Sequence, residues 1–226
     1  PSSNYQALQI HQTGSLQLYS DENKFQKLQS QIEREASRGF ETLHSSGSLR
    51  KSYDHLLNLE LLNRGFNFPQ ESIIHNGTLI KHLRAFLVNH PHSKILERMP
   101  QSPEWVNEAK AWSLQGEADI QAQNMIITSG AWVDEVLRPM GFESRMTPVR
   151  GQLAWYQHHE IQLETSIHMD GHFYAIPREG GFILGATTEA REWVQEFGDT
   201  GTQFLKTNIQ RYLASDFHQM TPIRAW

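Results

Sequence analysis

The segment Asn124-Met-Ile-Ile-Thr-Ser-Gly-Ala-Trp132 carries the residue types best suited to grip a bound molecule. An apolar run breaks into Thr128, Ser129 and Gly130 just before Trp132. Small side chains and a glycine let the backbone approach a ligand closely, which suits a large bound group. Three further segments set polar groups among apolar ones: Pro148-Val-Arg-Gly-Gln152, Phe173-Tyr-Ala-Ile-Pro-Arg178 and Gly181-Phe-Ile-Leu-Gly-Ala-Thr-Thr188. Taken singly, each has an ordinary structural reading. Tyr174 can pack its ring on a core and leave its hydroxyl wet. Arg150 and Arg224 can be solvated or salt-bridged, and Arg178 can pair with a local carboxylate or cap a hairpin. Ser129 to Trp132 can be a strand end, a helix-starting glycine and a core tryptophan.

Other chemistries find less support. The twelve histidines raise the question of a metal, and the nearest clusters are His90-Pro-His92, His158-His159 and His168 to His172. No H-E-x-x-H pattern accompanies them, adjacent histidines point to opposite faces of a strand, and Gly171 should turn the chain, so they read as solvated. Thr128-Ser129-Gly130 lacks the leading glycine of a G-x-S-x-G elbow, which argues against Ser-His-Asp hydrolysis. Without cysteine there is no disulfide, thiolate nucleophile or zinc-thiolate site. A net charge of -5 and a pI near 6.2 give no broad basic surface, so neither nucleic acid nor an anionic membrane is an expected partner. No apolar run reaches membrane-spanning length and no signal peptide precedes Tyr5, so a cytoplasmic location is expected. In that compartment the Asn76-Gly-Thr78 sequon stays unused. At 226 residues and 38% hydrophobic content, the chain can bury one good core, or one and a fraction.

These segments need elements to hold them. Gly14-Ser-Leu-Gln-Leu-Tyr19 reads as a strand. Ser20 or Asp21 can cap a helix running to Ala36, with Phe25, Leu28, Ile32 and Ala36 on one stripe. Arg38 to Ser52 reads as a loose connection and Leu56 to Leu62 as a short apolar element. A second helix, from Asn76 or Thr78 to Val88, carries Leu79, Leu83 and Leu87 and ends before Pro91. Ile95 and Leu96 should start a strand. Trp105 and Trp112 to Leu114 form a hairpin leading to Ala118, Ile120 and a Met125 to Ile127 strand. From Val149 the period falls to two: strands at Gln152 to Trp155, His172 to Ile176 and Phe182 to Gly185, with a turn at 179 to 181, should pair antiparallel. A last helix, Thr200 to Ala214, should bury Leu205, Ile209, Tyr212 and Leu213, and Pro222 to Trp226 opens a closing strand.

In order and spacing, the four quoted segments resemble the flavin-dependent amino acid oxidases of the D-amino-acid oxidase superfamily, most closely the glycine oxidase branch. The resemblance is dense from Gly65 to Trp226 and weaker from Tyr5 to Leu62. No single motif is diagnostic; the ordered series is. It implies an α+β fold: an antiparallel or mixed substrate-binding sheet with covering helices, plus an incomplete part of a Rossmann-like FAD domain. Residues 1–64 would hold the first strand and helices of the substrate domain, 65–147 a partial FAD segment, and 148–226 the substrate-binding sheet and helix.

The resemblance also implies roles. Tyr174 would give a hydroxyl to the substrate carboxylate, Arg150 would face substrate or flavin, and Thr128, Ser129, Gly130 and Trp132 would contact the flavin. FAD would accept hydride from the substrate, a glycine, a D-amino acid or a related small amine, and leave an imine. The family's opening G-x-G-x-x-G turn and its later G-L-R-P arginine segment are not found in these residues. The chain is therefore expected to be an internal piece of a longer enzyme, binding FAD weakly or not at all by itself. The strands at Ile95 and Ile126 would then lack a neighbour, and their exposed edges would favour a homo-oligomer or disorder. Two other readings stand beside this one: a relative that modifies tRNA or forms cyanide, and a non-catalytic interaction module derived from the substrate domain.

Overall fold

The computed structural model describes residues 10–35, 41–44, 52–97, 103–114, 117–158, 160, 163–190, 193 and 196–226. Its elements begin with β1 (Ile10–His11), β2 (Ser15–Tyr19), α1 (Glu22–Glu35), β3 (Glu41–His44), β4 (Arg64–Phe68), β5 (Ile73–Ile74) and α2 (Asn76–Asn89). There follow β6 (Pro103–Val106), β7 (Ala111–Leu114), β8 (Glu117–Ala122), α3 (Val133–Leu137), β9 (Val149–Arg150) and β10 (Leu153–Gln157). The chain closes with β11 (Ser166–Met169), β12 (Phe173–Arg178), β13 (Gly181–Gly185), β14 (Glu189–Ala190), α4 (Asp199–Tyr212) and β15 (Arg224–Ala225). These fall into two compact units: Pro1–His82 with Gly151–Thr188 and Gln195–Trp226, and Leu83–Arg150 with Glu189–Val194.

The first unit is built on an eight-stranded sheet in the order β15-β10-β13-β12-β11-β2-β4-β3. Every pairing is antiparallel except β11 beside β2. Period-two sequence becomes two unlike faces. Leu16, Leu18, Ala154, Tyr156, Ile167, Met169, Phe173, Ala175, Phe182 and Leu184 are buried on one of them. Leu205, Ile209 and Tyr212 of α4 join them in one core, with Phe217 and the leucines at 56, 57, 59 and 62. Each large side chain in that core contributes about 1.5–3 kcal/mol through burial. Between the buried positions stand half-buried ones: Gln17, Leu153, Trp155, His168, Tyr174, Ile176 and Ile183. They form the second, partly open face.

Only one end of that second face is covered by α1. Phe25 stacks on Phe66 at 4.9 Å between ring centroids and meets Tyr19 edge-on at 6.4 Å. Asp21 caps the helix as its sequence suggests, accepting from the backbone N–H groups of Asn23 at 2.8 Å and Lys24 at 3.3 Å. Gln152, the last residue of the Pro-Val-Arg-Gly-Gln segment, is buried as a tie. Its N–H donates to Thr187 Oγ1 at 2.9 Å, while its side-chain Oε1 accepts from the N–H of Gly198, just ahead of α4, at 2.7 Å.

The second unit holds the antiparallel sheet β6-β7-β8, the two-stranded ribbon β9-β14 and α3. Trp105 and Trp112 face each other across β6 and β7, as the expected hairpin requires. Two expected strands do not form. Ile95 and Leu96, and Met125 to Ile127, run as irregular chain, and Ile126 is 87% exposed. A strand exists through its ladder, and neither segment has a ladder partner among the described residues.

Helix α2 forms where expected, but its leucine stripe is not core: Leu83 is 52% and Leu87 is 42% exposed. A strand, β3, arises inside the stretch read as a loose connection, whose remaining residues lie largely outside the described ones. The element at 56–62 is a series of turns, fixed by a bridge from Leu57 to Leu213. Because β4 pairs with β2, residues 65–68, placed by expectation in the FAD segment, belong to the large sheet. No helix among the described residues is long and apolar enough to cross a membrane.

Candidate functional site

In the first unit the candidate site is a row of side chains across the half-open face. Strand register places Tyr174 of β12 opposite Gly185 of β13 on one side and His168 of β11 on the other, with Gln17 of β2 beyond. The turn at Asp170 and Gly171 makes this possible by folding β11 directly back into β12. The Tyr174 ring leans over Gly185. A Cβ built there would stand 3.0 Å from the Tyr174 hydroxyl, 3.2 Å from its Cζ and 2.6 Å from Leu153 Cβ, so this position requires glycine. On the other side, the His168 and Tyr174 rings lie 6.0 Å apart between centroids. Neither the Tyr174 hydroxyl nor a His168 ring nitrogen has a hydrogen-bond partner among the described residues.

The electrostatics keep both groups neutral. Burial raises the Tyr174 phenol above its usual value, opposed by the Arg178 charge, so it stays a hydroxyl donor. Burial lowers the His168 imidazole below the ordinary histidine value against the pull of Glu71. Arg178 itself has no carboxylate partner among the described residues. Its Nη1 donates to the carbonyl of Pro177 at 2.8 Å, which is the hairpin-capping alternative of the sequence reading rather than the ion pair.

In the second unit, Asn124 to Ser129 is irregular chain that enters a tight turn at Gly130–Trp132 and leads to α3. The Trp132 N–H donates to the Ser129 carbonyl at 3.0 Å. Ser129 Oγ is buried without a hydrogen-bond partner among the described residues. Gly130 has φ +55 and open space where a Cβ would stand. Trp132 is not a core residue; it is 46% exposed and meets Trp193 at 5.8 Å. An orphaned buried hydroxyl costs about 1–3 kcal/mol unless something completes it. Ser129 thus offers an unpartnered polar atom beside the open backbone of Gly130 and the exposed ring of Trp132.

Arg150 is held within the ribbon, where its Nη1 lies 3.2 Å from Glu189 Oε2, with the two side chains 15% and 17% exposed. Of the two structural alternatives, solvated or salt-bridged, Arg150 takes the salt-bridged one. Arg224 lies over the Trp226 ring at 5.5 Å, in keeping with a structural role. Tyr174 falls in the first unit, and Thr128, Ser129, Gly130, Trp132 and Arg150 in the second.

Sequence reasoning missed two residues. His168 was set aside among solvated histidines, although the turn at Gly171, recognised from sequence, is what brings it opposite Tyr174. Asp170 was not singled out at all. It sits at φ +51 in that turn, buried, accepting from Ser20 N–H at 2.7 Å, from the Ser20 hydroxyl, from Asp21 N–H at 3.4 Å and from the Tyr212 hydroxyl at 2.7 Å. It holds three parts of the sheet unit together. Among the described residues no group of three or more His, Cys, Asp or Glu could hold a metal ion.

A family model described as DAO, FAD dependent oxidoreductase, matches residues 3–226. The chain belongs to this family of FAD dependent oxidoreductases. Among individual proteins, it is 26% identical over 163 residues to a glycine oxidase of Pseudomonas aeruginosa, covering 68% of this chain and 42% of that protein. It is 30% identical over 118 residues to a glycine oxidase of Pseudomonas putida, covering 51% of this chain and 32% of that one. The fold matches a glycine oxidase from Geobacillus kaustophilus with a TM-score of 0.82 at 18% identity, covering 96% of this chain and 58% of that one. It also matches an iminodiacetate oxidase from Chelativorans with a TM-score of 0.77 at 15% identity, covering 99% and 63%. The chain thus spans less than two thirds of each of these relatives, and the two structural likenesses speak for the fold.

Proposed function

We propose that this chain supplies the substrate-binding face, and part of the flavin contact, of an enzyme that oxidises the C–N bond of glycine, a D-amino acid or a related small amine to an imine. The observation that carries the reading is Tyr174: a half-buried neutral hydroxyl without a hydrogen-bond partner among the described residues, on the open face of a sheet whose other face is core. Relatives named glycine oxidase support the substrate class. FAD, when bound, supplies the hydride acceptor for the substrate α carbon.

The chain's residues bind and orient. Tyr174 donates its O–H to one carboxylate oxygen, because a carboxylate drawn out of water needs donors in place of its hydration. Gly185 leaves the space that the Tyr174 ring occupies. Ser129 Oγ would hydrogen-bond the flavin, the open backbone at Gly130 would let it approach, Trp132 would flank it, and Thr128 leads the chain into that turn. Arg150 keeps the ribbon in place through Glu189.

Tyr174→Phe in the full-length holoenzyme tests this. A charge-assisted hydrogen bond of about 1.5–3 kcal/mol is lost, so KM for the preferred amine should rise about 10- to 100-fold while kcat stays within about threefold. Assays should read peroxide and, in parallel, reduction of an artificial acceptor. An unchanged KM would remove Tyr174 from the carboxylate site, and a full-length protein without a flavin absorbance band would overturn the reading.

A further inference from the structure

Resting on that reading, we infer that His168 is the residue that receives the substrate's amine. Its imidazole accepts a hydrogen bond from the amine nitrogen of a molecule anchored at Tyr174 and takes up the proton that the ammonium form must lose before oxidation. The geometry carries this. His168 and Tyr174 are cross-strand partners on the same face, their rings 6.0 Å apart, a gap that the two ends of a small amino acid bridge through hydrogen bonds. Of the row Gly185, Tyr174, His168 and Gln17, only Gln17 has its side-chain polar group engaged among the described residues, accepting from the Tyr19 hydroxyl at 3.2 Å. Tyr174 and His168 therefore present one hydroxyl donor and one basic nitrogen side by side, which matches a carboxylate and an amine carried by one carbon.

The proton balance is simple. The ammonium gives one N–H proton to an imidazole nitrogen, producing a neutral amine and an imidazolium. With the nitrogen neutral, its lone pair can close a C=N bond to the α carbon, for which FAD, when bound, would supply the hydride acceptor. The imidazolium returns its proton to water as product leaves.

Burial keeps His168 uncharged near neutrality, so its nitrogen is free to accept; the same burial opposes the imidazolium that proton uptake forms, and Glu71, from the segment after β4, favours it. Tyr174 is the titratable group facing it from β12, and Gln17 from β2 carries no charge. Sign follows from this: with the imidazole held below its ordinary value, acceptor capacity is present at neutral pH and is lost only as pH falls below the usual histidine range.

The test is kcat/KM against pH for the full-length holoenzyme and for His168→Gln, which keeps a polar side chain but cannot take a proton. Expected is a drop of about 10- to 100-fold near neutrality that shrinks toward alkaline pH, where the free amine already lacks the extra proton. A second readout needs no turnover. 2-Aminoisobutyrate, which has no α hydrogen, should shift the His168 ring signals in the NMR spectrum of labelled holoenzyme, whereas acetate, which has no amine, should bind equally well to wild type and His168→Gln. If wild type oxidises amines but the two pH profiles run parallel, this inference fails and the proposed function stands. If wild type oxidises no amine, the proposed function fails and takes the inference with it. Should His168→Gln not fold, absence of a shift with 2-aminoisobutyrate in wild type is enough to overturn the inference.

Discussion

Asp170→Asn should cost several kcal/mol of stability at neutral pH and flatten the acid end of the stability curve. The Asp170 side chain is 3% exposed, and its oxygens accept from the Ser20 N–H, the Ser20 hydroxyl and the Tyr212 hydroxyl. These donors come from the end of β2 and from α4, so one carboxylate ties the start of α1, the β11–β12 turn and the covering helix together. Asparagine keeps the shape and tolerates the left-handed φ of this turn. Its NH2 group, however, replaces an acceptor with a donor and leaves a buried partner unpaired. With charge-assisted bonds worth about 1.5–3 kcal/mol each, the loss should be about 3–5 kcal/mol. Arg211, 3.9 Å away and 54% exposed, adds little to this sum.

The pH dependence has a definite sign. Burial alone would push the Asp170 carboxyl up, but hydrogen bonds from the Ser20 and Tyr212 side chains and from the Ser20 and Asp21 backbone outweigh it and hold the group below its ordinary value of 3.8. A carboxyl lowered on folding contributes stability that is fully present above its unfolded value and is lost as pH falls through its folded one. Urea unfolding at pH 7 and in steps below pH 4 should therefore show the gap between wild type and Asp170→Asn closing as acid is added. A gap that stays constant down to the acid limit would mean that the charge of Asp170 contributes nothing.

The sheet unit was largely legible in the sequence because its signals are local. Phe173 to Arg178 and Gly181 to Gly185 alternate at period two around a Glu-Gly-Gly turn, and the structure pairs them in the matching register. The stripe Leu205, Ile209, Tyr212 and Leu213 likewise named the face that α4 buries. What failed depends on distant partners. Met125 to Ile127 has every local mark of a strand, yet a strand also needs a neighbouring chain, and no described segment supplies one. Glu41 to His44 shows the converse, for its residues give no strand pattern among serines and glycines, yet β4 recruits them.

The site divides in the same way. Tyr174 stood out through the Pro177-Arg178 that follows it. His168 became visible only once the turn at Gly171 was extended into a register that sets it beside Tyr174. Asp170 gave no sequence signal because its partners lie about 150 residues back and 42 residues ahead along the chain.

Gly185→Ala should lower stability by about 1–3 kcal/mol and weaken substrate binding without touching substrate. The added methyl would stand 2.6 Å from Leu153 Cβ, an atom fixed to the β10 backbone, so β10 and β13 must part slightly. It would also stand 3.0 Å from the Tyr174 hydroxyl and 3.2 Å from its Cζ, so the ring must swing off its present position. The first contact concerns the sheet alone, and the second links the sheet to the site. A double-mutant cycle separates them. Tyr174→Phe removes the hydroxyl and leaves Leu153 in place, so adding Gly185→Ala to Tyr174→Phe should cost stability but raise KM little further than Tyr174→Phe alone. Urea midpoints and KM for the same amine, measured on wild type, the two single variants and the double variant, decide the matter. If the two substitutions multiply in KM as independent changes do, Gly185 does not act through the Tyr174 hydroxyl, and the role of β13 in placing the carboxylate anchor falls.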